Sequence, residues 1–556
     1  MEKDSKVFDI TIGILVLLSA IAAVVKIIVG FEMDEGFIIA LGMRILNGEH
    51  WFKDMWEIYQ TSSIFITPFL YVYRSIVGSL DGIVIFLRIV STLIHILIAC
   101  FVYKALVKHG EDKKISFLMA LVWFNLMPRS TQNIEYGILM DWFVTLSMFV
   151  LLNACKKMDY YIAGLWLALA VLAYPTVVII YPVMIFGIYK LSGKISYCIN
   201  FTLGCFTLAV ITLIYVFVFI SPADLIKTLP YIFMDASHSG GTERLVKLLK
   251  ELAKISVRAG LALAVAGIMT LGMKKVLKIK TDVKEMILTN WITAFVLIII
   301  AAEILGRKSG VVGLQTRYIV VYFLGAYFYI NSASKRDRKI LIYTWIPALF
   351  ILMGVLCGSN LGIETNSSYL IPGLIASMSM LLHGSNDKKL MMSAIVMFAF
   401  CSILYRGYFV RNAGTSPCNV LEARVKVSDG IARGIWLKPE EKRKYDLEYQ
   451  FMRAITDDTD RVLCLTSDPQ MNLMGNGSFT SVTSHGTVVY DEQWESYYTK
   501  FDRILPTKVI IDKSYVTDTA SFLENNIFGK WINSNYKIEE ETNDFIELVP
   551  LTQAGK

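Results

Sequence analysis

About thirteen apolar runs recur along this chain, most of them near the length that bridges the hydrocarbon of a bilayer, and they alternate with short clusters of lysine and arginine. Few folds are open to such a pattern. Inside a bilayer every backbone N–H and C=O needs an internal partner, and a helix supplies one within its own segment. The sequence therefore predicts an all-α polytopic membrane bundle over residues 1–405, with juxtamembrane helices in 31–80, followed by an extracytoplasmic α/β domain over 406–556. Composition agrees, with 55% of residues hydrophobic, 18% charged and a mean hydropathy of +0.53. The formal net charge of +7 resides in the clusters between runs. That distribution sets membrane orientation, and no basic face interleaved with aromatics points to nucleic acid.

Lys3 and Lys6 precede the first run, Ile10–Gly30, so the N-terminus is expected in the cytoplasm. The run lacks a small-residue cleavage site and reads as a permanent span of a cell-membrane protein. The acidic doublet Asp34-Glu35 then emerges outside. If both of the next runs, Thr61–Val77 and Ile83–Tyr103, crossed the bilayer, Lys104, Lys108, Lys113 and Lys114 would lie outside, against the positive-inside rule. Thr61–Val77 carries Pro68 and Arg74 and is expected near the outer interface instead. The later runs then alternate, inward helices ending at clusters such as Lys156-Lys157, Lys274-Lys275 and Lys388-Lys389, and Met391–Tyr405 ends outside. Beyond it, Pro439–Ile455 has helical spacing behind a leading proline, while Arg461–Thr466, Lys508–Asp512 and Phe545–Val549 read as short strands.

Ionisable residues at the mouth of a membrane bundle are costly, and they mark candidate chemistry. Asp34 precedes the amphipathic stretch Glu35–Asn47, which would lie along the interface until Gly48 ends it, and Asp34 would cap that helix, serve as a rigidly held base, or do both. Asp141 falls about one turn into a returning span, where it would face the bundle interior or pair with Arg129 or Arg317. Glu135, just before it, reads as a solvated loop charge. In Lys53-Asp54-Met55-Trp56-Glu57-Ile58-Tyr59-Gln60, Trp56 and Tyr59 suit an interfacial belt and Glu57 adds charge to the same mouth. Cations available there are Arg129, Arg244, Lys247 and Arg317. Arg317-Tyr318 opens a returning helix where a guanidinium could grip a phosphate. His238 reads as a surface histidine. Trp494, Tyr497 and Tyr498 read as packing or as a sugar shelf. No phosphate loop, zinc motif or Ser/His/Asp arrangement is present, and the acids at the mouth leave a divalent cation open.

Taken together, Asp34-Glu35, Gly42-x-Arg44-Ile45-Leu46-x-Gly48, Asp54-x-Trp56-Glu57, Arg88 within a span and Arg317-Tyr318 resemble the polyprenyl-phosphate-sugar-dependent GT-C glycosyltransferases, nearest to the protein O-mannosyltransferase and lipid A aminoarabinose transferase branch. The resemblance covers most of residues 1–405. It implies an inverting transfer from a polyprenyl-phosphate sugar to an external glycan, glycolipid or protein. Asp34 would be the base and Asp141 the second acid, with Glu35, Glu57, Arg129, Arg317 and Tyr318 at the substrates. This chain has Phe37 where the aminoarabinose branch carries arginine, and Ile58-Tyr59-Gln60-Thr61 where that branch has a lysine followed by prolines. The lipid A acceptor is therefore not carried over. Two other readings stay open: a non-catalytic polysaccharide export or polymerisation component that binds lipid-linked glycan, and a secondary transporter, for which neither repeated halves nor midplane charges are evident.

Overall fold

The computed structural model describes residues 2–126, 132–232, 234, 242–277, 282–304, 311–331, 337–358, 362–410, 418–486, 489–501 and 503–551. Its long helices form a membrane bundle. They are α1 (Glu2–Ile28), α4 (Ile83–His109), α5 (Lys113–Asn125), α6 (Tyr136–Leu152), α7 (Lys157–Ala173), α8 (Ile180–Ser192), α9 (Ile195–Phe219), α11 (Thr242–Leu277), α12 (Val283–Ile304), α13 (Val311–Asn331), α15 (Ile346–Gly358), α17 (Ile371–Gly384) and α18 (Lys388–Tyr408). A helix thus stands over each apolar run that the sequence assigns to a crossing. Among the described residues, seven segments are long and apolar enough to span a bilayer by themselves. Shorter members such as α6 are wrapped by neighbours. Short helices α2 (Met33–Leu46), α3 (Ser63–Val77), α10 (Pro222–Ile232), α14 (Arg338–Ile340) and α16 (Ile363–Asn366) complete this half.

The two ends of the bundle are chemically distinct. At one end His109 Nε2 meets Asp337, Ser379 and His383 meet the Glu111 carboxylate, and Glu285 accepts from Ser385 Oγ at 2.6 Å and from the Asn386 backbone at 2.7 Å. These are turns that the alternation of lysine clusters assigns to a single side. The opposite end carries the C-terminal domain. Both ends of α3 lie there: Thr61 Oγ1 donates to Leu172 O at 2.5 Å before it, and Gly82 N donates to Gly430 O at 3.0 Å after it. With 15 residues, α3 is roughly 22 Å long, short of the roughly 30 Å hydrocarbon. It enters and leaves on one side.

Close helix contact is set by glycine at one seam. A Cβ added at Gly164 on α7 would lie 2.1 Å from Phe201 O on α9, and one at Gly204 on α9 would lie 2.1 Å from Tyr161 O on α7. Neither position has room for a methyl group, so the two backbones touch.

The second half opens with two short pairings, β1 (Phe409–Val410) with β2 (Cys418–Asn419) and β3 (Val425–Lys426) with β4 (Trp436–Leu437), before α19 (Pro439–Ile455). Its core is a five-stranded sheet in the order β6-β5-β7-β9-β8, with β5 (Arg461–Leu465), β6 (Ser478–Phe479), β7 (Lys508–Asp512), β8 (Tyr536–Glu541) and β9 (Phe545–Pro550). Strand β5 runs parallel to β6 and β7, and β9 antiparallel to β7 and β8. Alternate side chains point to opposite faces. Val462, Cys464 and Ile510 join the core that continues through α19 into the membrane bundle. Leu463, Leu465, Val509 and Ile511 face a second core with α20 (Asp491–Thr499) and α22 (Ile527–Asn535), the latter preceded by α21 (Thr519–Asn525). One face of the sheet is therefore continuous with the membrane half, and the domain is docked rather than tethered.

Candidate active site

The first turn of α2 is fixed by charge. Glu35 is fully buried, and Arg88 of α4 donates to it from Nε at 2.8 Å and Nη2 at 2.6 Å. Asn133 Nδ2 (3.2 Å) and the Glu32 backbone N–H (3.1 Å) complete its shell. The rest of the Arg88 fork is spent on the carbonyls of Lys26, Ile27, Val29 and Gly30, which close the end of α1. Arg88 buried in a membrane helix demands a carboxylate, and the doublet provides one. Glu35 is thus an anchor between α1, α2 and α4, with its oxygens turned inward rather than toward a ligand.

Asp34, one residue earlier, is only half-buried, and Tyr136 Oη donates to its Oδ1 at 3.3 Å. It sits in the first turn of the helix, where the backbone dipole favours a carboxylate, and does not cap it, since Glu32 precedes the first helical residue. Four tyrosines from distant segments gather beside it. Tyr59 stacks on Tyr136 at 4.2 Å between centroids, Tyr174 lies 5.0 Å from Tyr59, and Tyr369 lies 5.6 Å from Tyr174. Tyr59 Oη donates to Tyr174 Oη at 3.3 Å. The sequence reading singled out only Tyr59 of these, as belt. Each of the other three sits at the boundary between a helix and a connecting turn, and that placement was the available signal.

Asp141 lies on α6 five residues past Tyr136, about 7.5 Å further along the axis and about 140° round it. It is 2% exposed, its Oδ2 has no hydrogen-bond partner, and it forms no ion pair with a described residue. Asp34 and Asp141 therefore occupy one end of α6 without touching. Glu135 is not a solvated loop charge as the sequence suggested. It is 1% exposed and caps α6, accepting from Gly137 N at 3.0 Å and Ile138 N at 2.8 Å. Four orphan N–H groups at a buried helix start need such an acceptor.

The C-terminal domain closes over α2. A Cβ at Gly36 would lie 2.9 Å from Gln470 N, and Phe37 meets His485 edge-on at 5.8 Å. Residues Glu35 to Arg44 are all buried, so α2 is an enclosed helix and not one lying along the interface. Trp56 likewise leaves the expected belt. Its ring is 2% exposed and packs on Tyr231, Tyr497 and Phe501, and its backbone N–H donates to Val482 O at 3.0 Å. Arg44 fastens this junction: Nε donates to Glu49 at 2.6 Å, Nη1 to Glu57 at 3.4 Å, and Nη2 to Asp54 O and Ser481 O, each at 2.5 Å. Glu57 also accepts from the Ser484 N–H, and burial raises its pKa. Its bonds are all internal.

Arg317 is 1% exposed and enclosed by rings, with its guanidinium carbon 4.6 Å from the Tyr318 centroid, 5.3 Å from Tyr405 and 5.8 Å from Phe398. It is neither a surface anchor nor open to solvent. Tyr318 is fully buried against it. Arg129 and His238 lie outside the described residues. Trp494 and Tyr498 stack on Phe528 and Trp531 in the second core, which makes them packing. Among the described residues no group of three or more His, Cys, Asp or Glu side chains is placed to hold a metal ion.

No family model matches this chain, and no curated protein matches it. Among solved structures it is similar to the archaeal oligosaccharyltransferase AglB from Archaeoglobus fulgidus, determined in complex with an inhibitory peptide and a dolichol-phosphate. The identity is 12% and the TM-score 0.42, covering 98% of this chain and 75% of that one.

Proposed function

We propose that the chain is a membrane glycosyltransferase that moves a sugar from a polyprenyl-phosphate donor to an extracytoplasmic glycan, glycolipid or protein. One observation carries the reading. Asp34 is the accessible carboxylate of its doublet, held on a helix that Arg88 and the C-terminal domain immobilise, beside a wall of four tyrosines. Tyr136, Tyr174 and Tyr369 are 4–6% exposed and pack on one another, so they stiffen the wall behind Asp34, and a fixed carboxylate within hydrogen-bond reach is what deprotonation of an alcohol needs.

In this reading the acceptor oxygen attacks the anomeric carbon as Asp34 takes its proton. The bond from that carbon to the phosphate oxygen breaks, with inversion, and the lipid phosphate leaves carrying the electron pair. Asp141, buried about one and a half turns further into α6, is assigned to a sugar hydroxyl. Arg317 and Tyr318 support the end of α18 and act on the donor indirectly. Asp34→Asn in membranes supplied with a labelled polyprenyl-phosphate sugar should lower transfer by roughly 10²–10⁴, the usual worth of a positioned base, with expression unchanged. Undiminished transfer would remove Asp34 from the chemistry and favour a binding or export role.

A further inference from the structure

A groove of about 880 Å³ opens where the end of α9, α10, the loop after α2 and the end of α20 meet. Lys53, Lys227, Lys500 and Arg503 line it, and the carboxylate on its wall is Asp224. Asp224 accepts from Lys227 at 3.3 Å, and Arg503 lies 3.7 Å from Asp54 just behind the wall. Four cations thus face two carboxylates, and Lys53 and Lys500 form no ion pair with a described residue. Arg503 Nε is buried with no hydrogen-bond partner. Ser221 also lines it and donates to Asp224 at 2.7 Å, and the rest of the lining is largely apolar, from Phe219, Ile220, Tyr231 and Phe501. None of Asp34, Tyr136 or Tyr174 lines the groove.

A concave, cationic site of this size suits an anionic head group. Its position says what that head is attached to. Phe219 is the last residue of α9, a candidate span, and Ile211, Ile214 and Val218 form an exposed stripe along that helix at i, i+3 and i+7. Their exposures of 56%, 60% and 68% mean that apolar surface runs from the membrane face up to the lip of the groove. A soluble anion would use the cations alone, whereas a lipid uses both surfaces.

We infer that this groove is a binding site for a phosphate-headed lipid, its head among Lys53, Lys227, Lys500 and Arg503 and its chains along α9. The inference stands apart from sugar transfer, since it uses none of the residues assigned to that reaction. The test is native mass spectrometry of the full chain in detergent, titrated with dioleoyl phosphatidic acid, dioleoyl phosphatidylcholine or inorganic phosphate. Phosphatidic acid should be retained over phosphatidylcholine. The double variant K227Q/K500Q, which changes two exposed side chains, should lose about tenfold or more of that retention, as expected for two lysines near an anionic lipid. K274Q/K275Q at the far end of α11 should keep the retention, and K227Q alone gives a milder step should the double variant melt early. Equal retention by K227Q/K500Q, equal loss in K274Q/K275Q, or displacement of the lipid by inorganic phosphate would each overturn the inference.

Discussion

Removing the Arg44 guanidinium should release the C-terminal domain from α2. Arg44→Met keeps most of the aliphatic volume while deleting four polar contacts: those to Glu49, Glu57, Asp54 O and Ser481 O. Arg44 is 0% and Glu57 4% exposed, so the carboxylate left behind stays out of water. Breaking a buried pair from one side costs about 3–5 kcal/mol. For a domain of this size, at roughly 2–4 °C per kcal/mol, the apparent melting temperature of the junction should fall by roughly 6–20 °C. The assay is thermal unfolding of the detergent-purified chain, with hydrogen exchange at residues 478–486 as the local probe. R44M/E57Q should recover part of the loss, because it removes the stranded charge. A shift under about 2 °C, or no recovery in the double variant, would refute the view that Arg44 holds the junction.

Gly204→Ala places a methyl group on the carbonyl of Tyr161 and should destabilise the α7–α9 seam by about 1–3 kcal/mol, measured as a lower apparent melting temperature, whereas Gly13→Ala, with open space around it, should be neutral. Tyr136→Phe keeps the ring stack and deletes the hydrogen bond to Asp34; transfer should fall by roughly 2–10-fold, the worth of one hydrogen bond, with the melting temperature little changed, and undiminished transfer would uncouple the hydroxyl from the base. Glu448 in the C-terminal domain is 1% exposed, and its pKa is raised well above the ordinary value, first by burial and then by Asp468. A carboxyl raised on folding binds its proton more tightly in the native state. Stability should therefore fall as pH climbs from the ordinary carboxylate value through the raised one, and E448Q should flatten that slope in melting curves between pH 4 and 8.

Much of the membrane half was legible because its determinants are local. An apolar run bounded by lysines specifies one helix of the bundle, and the proline and arginine within Thr61–Val77 set α3 apart as the short member held at both ends on one side. Strands β5 and β7 and helix α19 were visible for the same reason: β-branched runs and a proline-led amphipathic repeat act within one segment. The site was legible only in part. Asp34 stood out, but nothing nearby in sequence shows that Glu35 belongs to Arg88, 53 residues on, or that Glu57 belongs to the Ser484 backbone. The tyrosine wall was hidden because Tyr59, Tyr136, Tyr174 and Tyr369 come from four separate segments that meet only once the bundle has packed. Burial of α2 was missed because the covering surface, around Gln470 and His485, lies in the other domain.

The contact between Arg44 and Ser481 O spans 437 positions of chain. At the roughly 5–20 residues per second of ribosomal synthesis, the first half of that clasp waits roughly 20–90 seconds for the second to be made. During that interval a guanidinium and the apolar flank of its helix stand at the bilayer edge with nothing over them. Biogenesis of such a chain calls for a temporary cover on the early segment, supplied by lipid head groups or by an insertion factor, and arrest before residue 481 should leave a nascent chain that is threaded through the bilayer yet unusually open to protease around residues 47–60.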